Sequence, residues 1–223
     1  MTEAVRRSPR AERTRNALIV AGRRLFSERP VDAVSIDDIV QTAEVAKGSF
    51  YNYFADREAL MRAISKEIRA CVERGIDGAN AGVDDPARRV ARACCTYLRF
   101  ALDDPERAGV LARVQGGHVS LKAPLNSGLV DDVANGLGSG RFRVATLESG
   151  VLYVLGVTQI ALIRIVQEPS PTLAVSLAQQ MCAMLLSGLR VPSDEADMIA
   201  AQASEEIVRV GAYSDAFKDV SAP

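Results

Sequence analysis

Apolar residues return every three or four positions along most of this chain, the spacing of a helix face, and no stretch alternates with the two-residue period of a half-buried strand. Leu18, Ala21, Gly22, Leu25 and Phe26 predict a first helix from Arg10 to about Glu28. Ile36, Ile39, Val40 and Ala43 predict a short second helix behind Ser35, and Phe50 and Phe54 set the inward face of a third that starts near Lys47. Asp56 caps a fourth, with Leu60, Met61, Ile64 and Ile68 as its stripe. The segment Gly75 to Pro86, rich in Gly, Asp and Asn, reads as a loop. Beyond it, helices are predicted over 87–102, from Pro105 to about Val114, over 129–137, over 142–166, over 173–189 and from Ser193 to about Val210. The stretch 115–128 is broken by Gly116, Gly117, Pro124 and Gly128. The helix predicted over 142–166 is apolar almost all round, which requires burial on several sides. The fold class is therefore all-α: an N-terminal arm over 1–9, a three-helix domain over 10–55, a linking helix over 56–74 and a larger helical domain over 75–223.

The stretch Ser35 to Phe54, SIDDIVQTAEVAKGSFYNYF, carries the most chemistry. Ser35 is a good N-cap, and Asp37 and Asp38 place negative charge where the helix dipole favours it. Val45 falls in the turn, where it wedges between the second and third helices, giving a helix-turn-helix. With Phe50 and Phe54 inside, Lys47, Gly48, Ser49, Tyr51, Asn52 and Tyr53 are left outside. Lysine neutralises phosphate, Ser and Tyr hydroxyls reach phosphate oxygens, Asn reads an adenine edge, and Gly48 permits close approach. That face is suited to a DNA major groove.

These residues resemble the TetR/AcrR-type transcriptional regulators. Ile39-Val40, Ala43-Glu44-Val45, Ala46-Lys47-Gly48-Ser49, Phe50-Tyr51-Asn52-Tyr53-Phe54 and Arg57-Glu58-Ala59-Leu60 follow the family's pattern, and the likeness covers about Arg13 to Ile64. Three positions depart from it. Glu44 stands where the family usually has glycine, so the position either leaves the left-handed region or strains the turn. Ala46 replaces the usual Ser or Thr cap, and Pro30 replaces a glycine after the first helix. The resemblance implies DNA contacts from Ser35, Lys47, Gly48, Ser49, Tyr51, Asn52 and Tyr53, and a phosphate contact from Arg57. It further implies a double-stranded DNA operator, a homodimer through residues 142–166 and 172–189, and a small hydrophobic effector in the C-terminal domain. Small residues on those two helices (Gly150, Gly156, Ala161, Ala174, Ala178, Ala183) allow close backbone approach. Tyr97, Phe100, Leu111, His118, Phe142 and Tyr153 are the candidate pocket residues.

Charge sharpens this picture. The 223 residues carry a net charge of −1, but residues 1–70 hold 13 Lys+Arg against 10 Asp+Glu, and the remainder 14 against 18. Seven arginines against two glutamates in the first 25 residues make a basic arm that suits phosphate. No signal-peptide pattern opens the chain, and the apolar stretch from Val151 to Val166 is interrupted by Gly156, Thr158, Gln159 and Arg164, so a cytoplasmic protein without a membrane span is expected. Cys71, Cys94, Cys95 and Cys182 have no metal or disulfide spacing and read as buried thiols. With a single histidine, no nucleophile motif and no nucleotide loop, no catalytic set, metal site or cofactor is expected. The expected function is a repressor released from a palindromic operator by a small molecule. The alternative is a constitutive DNA-binding regulator, or an activator, with a filled C-terminal core.

Overall fold

Capping residues and glycine contacts set the ends and crossings of the helices in the computed structural model, which describes residues 9–114 and 126–217. Helix α1 (Pro9–Glu28) buries Leu18, Ile19, Ala21, Gly22, Leu25 and Phe26. After Pro30 a 3-10 turn (Val31–Ala33) leads to α2 (Ile36–Thr42). Ser35 and Asp38 close a reciprocal capping box at its start, each side chain accepting from the other residue's N–H at 3.0 Å. Helix α3 (Lys47–Tyr51) is a little over one turn long. Phe50 and Phe54 are both buried, with ring centroids 5.9 Å apart. Helix α4 (Arg57–Ala79) starts at Asp56, whose carboxylate accepts from the Ala59 N–H at 2.6 Å. Its first half crosses α1 at Gly22, where a Cβ would lie 2.8 Å from Leu60 Cδ2.

The larger domain is arranged round α5 (Pro86–Asp103), which touches α4, α6 (Pro105–Val114), α7 (Ser127–Gly138), α8 (Leu147–Gln167), α9 (Pro171–Gly188) and α10 (Ser193–Ala203). A π-helical turn (Ser204–Arg209) and a 3-10 turn (Ser214–Phe217) follow. No strand occurs among the described residues. The small domain is joined to the large one twice. Helix α4 runs through both, and α1 packs along α6, where Arg23 Nε lies 2.6 Å from Glu106 Oε1.

The structure moves several predicted boundaries. Helix α4 continues through Gly75 to Ala79, where sequence composition predicts a loop. Gly75 is there because the Phe217 ring lies against it; a Cβ would fall 2.6 Å from Phe217 Cε1. Helix α8 begins at Leu147, not at residue 142, because Thr146 and Ser149 form a capping box. Phe142, outside the helix, folds its ring under α7 at Gly136 instead. Helix α8 is, by length and composition, apolar enough to cross a bilayer, against the sequence expectation. It packs on α5, α6, α7 and α9, burying Val151, Val154, Leu162 and Ile165. Of the small residues expected to face a second copy, Gly150, Ala161, Ala174 and Ala178 are buried inside this chain, and Gly156 is open. The thiols of Cys71, Cys94, Cys95 and Cys182 are buried and unbridged.

Candidate nucleic-acid interface and internal cavity

Helix α3 is held by its own turn. Glu44 takes φ 53°, in the left-handed region, so this position keeps the family's glycine geometry with a side chain in place and the turn carries the strain. Val45 is half-buried against the core. Ala46 offers no side-chain cap. In place of a cap, Lys47 reaches back to α2, its Nζ 2.7 Å from Asp37 Oδ1, and that hydrogen bond raises the lysine pKa.

Outward from this frame the structure sets Lys47, Gly48, Tyr51 and Asn52 exposed together, with Ser49 half-buried. Tyr51 is 54% exposed, its ring edge-on to Phe50 at 5.5 Å. A Cβ at Gly48 would meet nothing within 4 Å, so the surface there is open. Ser35 is exposed at the start of α2, its hydroxyl already accepting from Asp38. Two residues sit apart from the group. Tyr53 lies half-buried in a groove with Glu12, Arg15 and Phe54. Arg57 turns inward, its Nη1 donating to the Asp32 and Val34 carbonyls at 3.2 and 3.1 Å and its Nε to Glu58 at 2.9 Å. It thereby pins the segment that leads into α2.

A cavity of about 70 Å³ lies in the larger domain between α4, α5, α7 and α8. Arg69, Glu73, Ile76 and Asn80 line it from α4, Val90 and Tyr97 from α5, Leu129 and Asp132 from α7, and Val154 and Gln159 from α8. The Tyr97 hydroxyl donates to Glu73 Oε1 at 3.4 Å. Burial pushes the Glu73 carboxyl up to about 7, against the pull of Arg69. Burial also raises Tyr97, with the Glu73 charge adding to it. Arg89 pairs with Asp132, and Arg69 donates to Asn126 Oδ1. Gln159 reaches out of the cavity to the last turn of α6, donating to the Leu111 carbonyl at 3.4 Å.

Of the six residues selected from sequence as pocket candidates, the structure puts Tyr97 in the cavity. Phe100 stacks edge-on to Phe217 at 5.3 Å, Leu111 is buried in α6, and Phe142 is buried under α7. Tyr153 lies against Gly188, its hydroxyl donating to the Met184 carbonyl at 3.1 Å. His118 lies outside the described residues. Arg69, Glu73 and Ile76 of α4 and its C-cap Asn80, none of them among the sequence candidates, follow one another at spacings of four, three and four. That period is the signal; the composition of Gly75 to Pro86 hides it by suggesting a loop where α4 continues to Ala79.

A three-helix base whose short third helix is exposed, with a long shared helix running into a separate helical domain that holds a cavity, defines a two-domain, all-helical helix-turn-helix protein. A family model for bacterial regulatory proteins of the tetR family matches residues 18–64, and one for the tetracyclin repressor-like C-terminal domain matches residues 85–202. The chain belongs to the tetR family. It is 29% identical over 133 residues to an uncharacterized HTH-type transcriptional regulator of Mycobacterium tuberculosis, a match covering 58% of this chain and 65% of that protein. It is 36% identical over 97 residues to the HTH-type transcriptional repressor DhaR of Mycobacterium sp. (strain GP1), covering 44% of this chain and 48% of DhaR. Both matches span less than two thirds of the relative's own length. Among solved structures, RolR in complex with resorcinol is similar at 29% identity and TM-score 0.66, covering 88% of this chain and 97% of RolR.

Proposed function

We propose that this protein is a transcriptional repressor that holds a palindromic DNA operator as a homodimer and releases it when a small molecule fills the cavity. One observation carries this reading: α4 is common to both ends. Its first half packs Leu60 and Ile64 against Gly22 of α1, and its second half lines the cavity with Glu73 and Asn80. A ligand that displaces the second half tilts the first, and with it the face bearing Lys47, Tyr51 and Asn52. Release requires that the ligand bind the tilted state more tightly than the DNA-bound one. The RolR–resorcinol complex supports a small effector in a domain of this kind.

The dimer is supported by the outer surface of α8 and α9. Leu152, Ile160 and Met184 are 43%, 62% and 64% exposed, large apolar side chains on the two helices that the family resemblance assigns to pairing. Gly156 lies open among them and permits close approach. A single recognition helix of five residues contacts few base pairs. Two copies reading half-sites about 34–36 Å apart supply the missing affinity. Selection of bound DNA from a random pool tests the reading. The expected product is an inverted repeat with half-site centres about 10–10.5 base pairs apart. A pool without sequence preference at any salt concentration overturns it.

A further inference from the structure

The polar atoms round the cavity define the chemistry of what fits it. Asn80 is 3% exposed. Its Nδ2 donates to the Arg89 carbonyl at 3.3 Å, which fixes the orientation of the amide, since the reverse would set oxygen against oxygen. Asn80 Oδ1 is then left buried without a hydrogen-bond partner. A buried acceptor in that state is costly, and a donor from a ligand would recover the cost. Seven residues before this C-cap of α4, the Glu73 carboxyl receives, among the described residues, only the long 3.4 Å contact from Tyr97. The donors nearby are already engaged: Arg89 with Asp132 and with the Asn80 and Val83 carbonyls, Arg69 with Asn126, and Gln159 with α6. The site thus has acceptors in surplus, guanidiniums tied to their own partners, and apolar walls at Ile76, Val90 and Val154.

We propose that the cavity binds a small uncharged molecule with two hydroxyl donors on an apolar ring, a dihydroxybenzene or its like, one hydroxyl donating to Asn80 Oδ1 and the other to the Glu73 carboxyl. The proposal rests on the ligand-responsive reading above and names the class of its ligand. Its size sets a second condition: a cavity of about 70 Å³ has no room for a long acyl chain, and a single ring enters only as the lining side chains give way. An anion such as benzoate meets the Glu73 and Asp132 carboxyls, and would have to draw Arg69 away from Asn126 or Arg89 away from Asp132.

Calorimetric titration of the full chain, without DNA, with benzene-1,3-diol, 1,3-dimethoxybenzene and benzoate tests this. The diol is expected to bind at least about tenfold more tightly than its dimethyl ether, from the loss of two donated hydrogen bonds, and benzoate is expected not to bind. Asn80→Leu and, should that variant fail to fold, Glu73→Leu should each abolish most of the preference for diol over ether. The proposal is overturned if ether or benzoate binds as well as diol, if the diol does not bind, or if the folded variant keeps the full preference. A separate arm measures DNA affinity with and without each compound. Diol binding that leaves DNA affinity unchanged supports the ligand class and sinks the release mechanism. Release by some other kind of molecule, with no diol binding, does the reverse.

Discussion

Glu44 and Glu73 show how far a single side chain departs from its ordinary state in this fold. Glu44 holds a left-handed backbone that costs a residue with a Cβ roughly 1–2 kcal/mol. Glu44→Gly removes that strain and adds unfolded-state entropy, so a net gain of up to about 1 kcal/mol is expected, read as a higher urea midpoint with an unchanged slope. Glu73 is raised from 4.5 to about 7, chiefly by burial, with Asp77 adding and Arg69 and the Tyr97 hydroxyl opposing; the Arg89–Asp132 pair also faces the cavity. Between those values the folded chain keeps a proton that the unfolded chain has lost. Through this group, stability therefore falls as pH rises from about 4.5 to about 7 and then levels off. Glu73→Gln should gain melting temperature relative to the parent over that range, with the gap widest above pH 7. Melting curves at pH 5 and pH 8 that differ by a constant amount would contradict this.

At the scale of elements, the sequence was most readable where capping and periodicity agree. Ser35 with Asp38, Asp56 and the stripe from Leu60 to Ile68 marked α2 and the start of α4, and all of these are seen. It misled where tertiary contact overrides local preference. Glycine suggested a loop at residue 75, but Gly75 is the helical residue that makes room for Phe217, a partner 142 positions away that no local pattern reveals. Phe142 looked like the opening of an apolar helix and is instead a plug beneath α7. A Cβ at Gly136 would lie 2.0 Å from its ring. Gly136→Ala is therefore expected to destabilise the protein by about 1–3 kcal/mol through overpacking, measured by denaturant unfolding. The cavity was the least legible part. Its polar atoms come from four helices whose crossing, not whose spacing, brings them together.

For the molecule as a whole, the proposed dimer rests on the apolar strip on α8 and α9, which would set whether one reading head or two meet the DNA. Ile160→Glu puts a charge in the middle of that strip, on a side chain 62% exposed, and so spares the fold. Sedimentation should show a monomer in place of a dimer. Operator affinity should fall steeply because the second half-site is no longer delivered with the first. A variant that remains dimeric would place the interface elsewhere. The all-helical architecture and the order of the two domains were visible in the periodicity. The second join between them, α1 on α6 with Arg23 beside Glu106, was not, because it pairs residues 83 apart. That join has a mechanical consequence. A body hung from one rod swivels, whereas a body fastened at two separated points rocks about a single line. On the proposed function, a nudge delivered along α4 or α6 would reach the major groove as a change of pitch, and the operator would feel leverage, not slack.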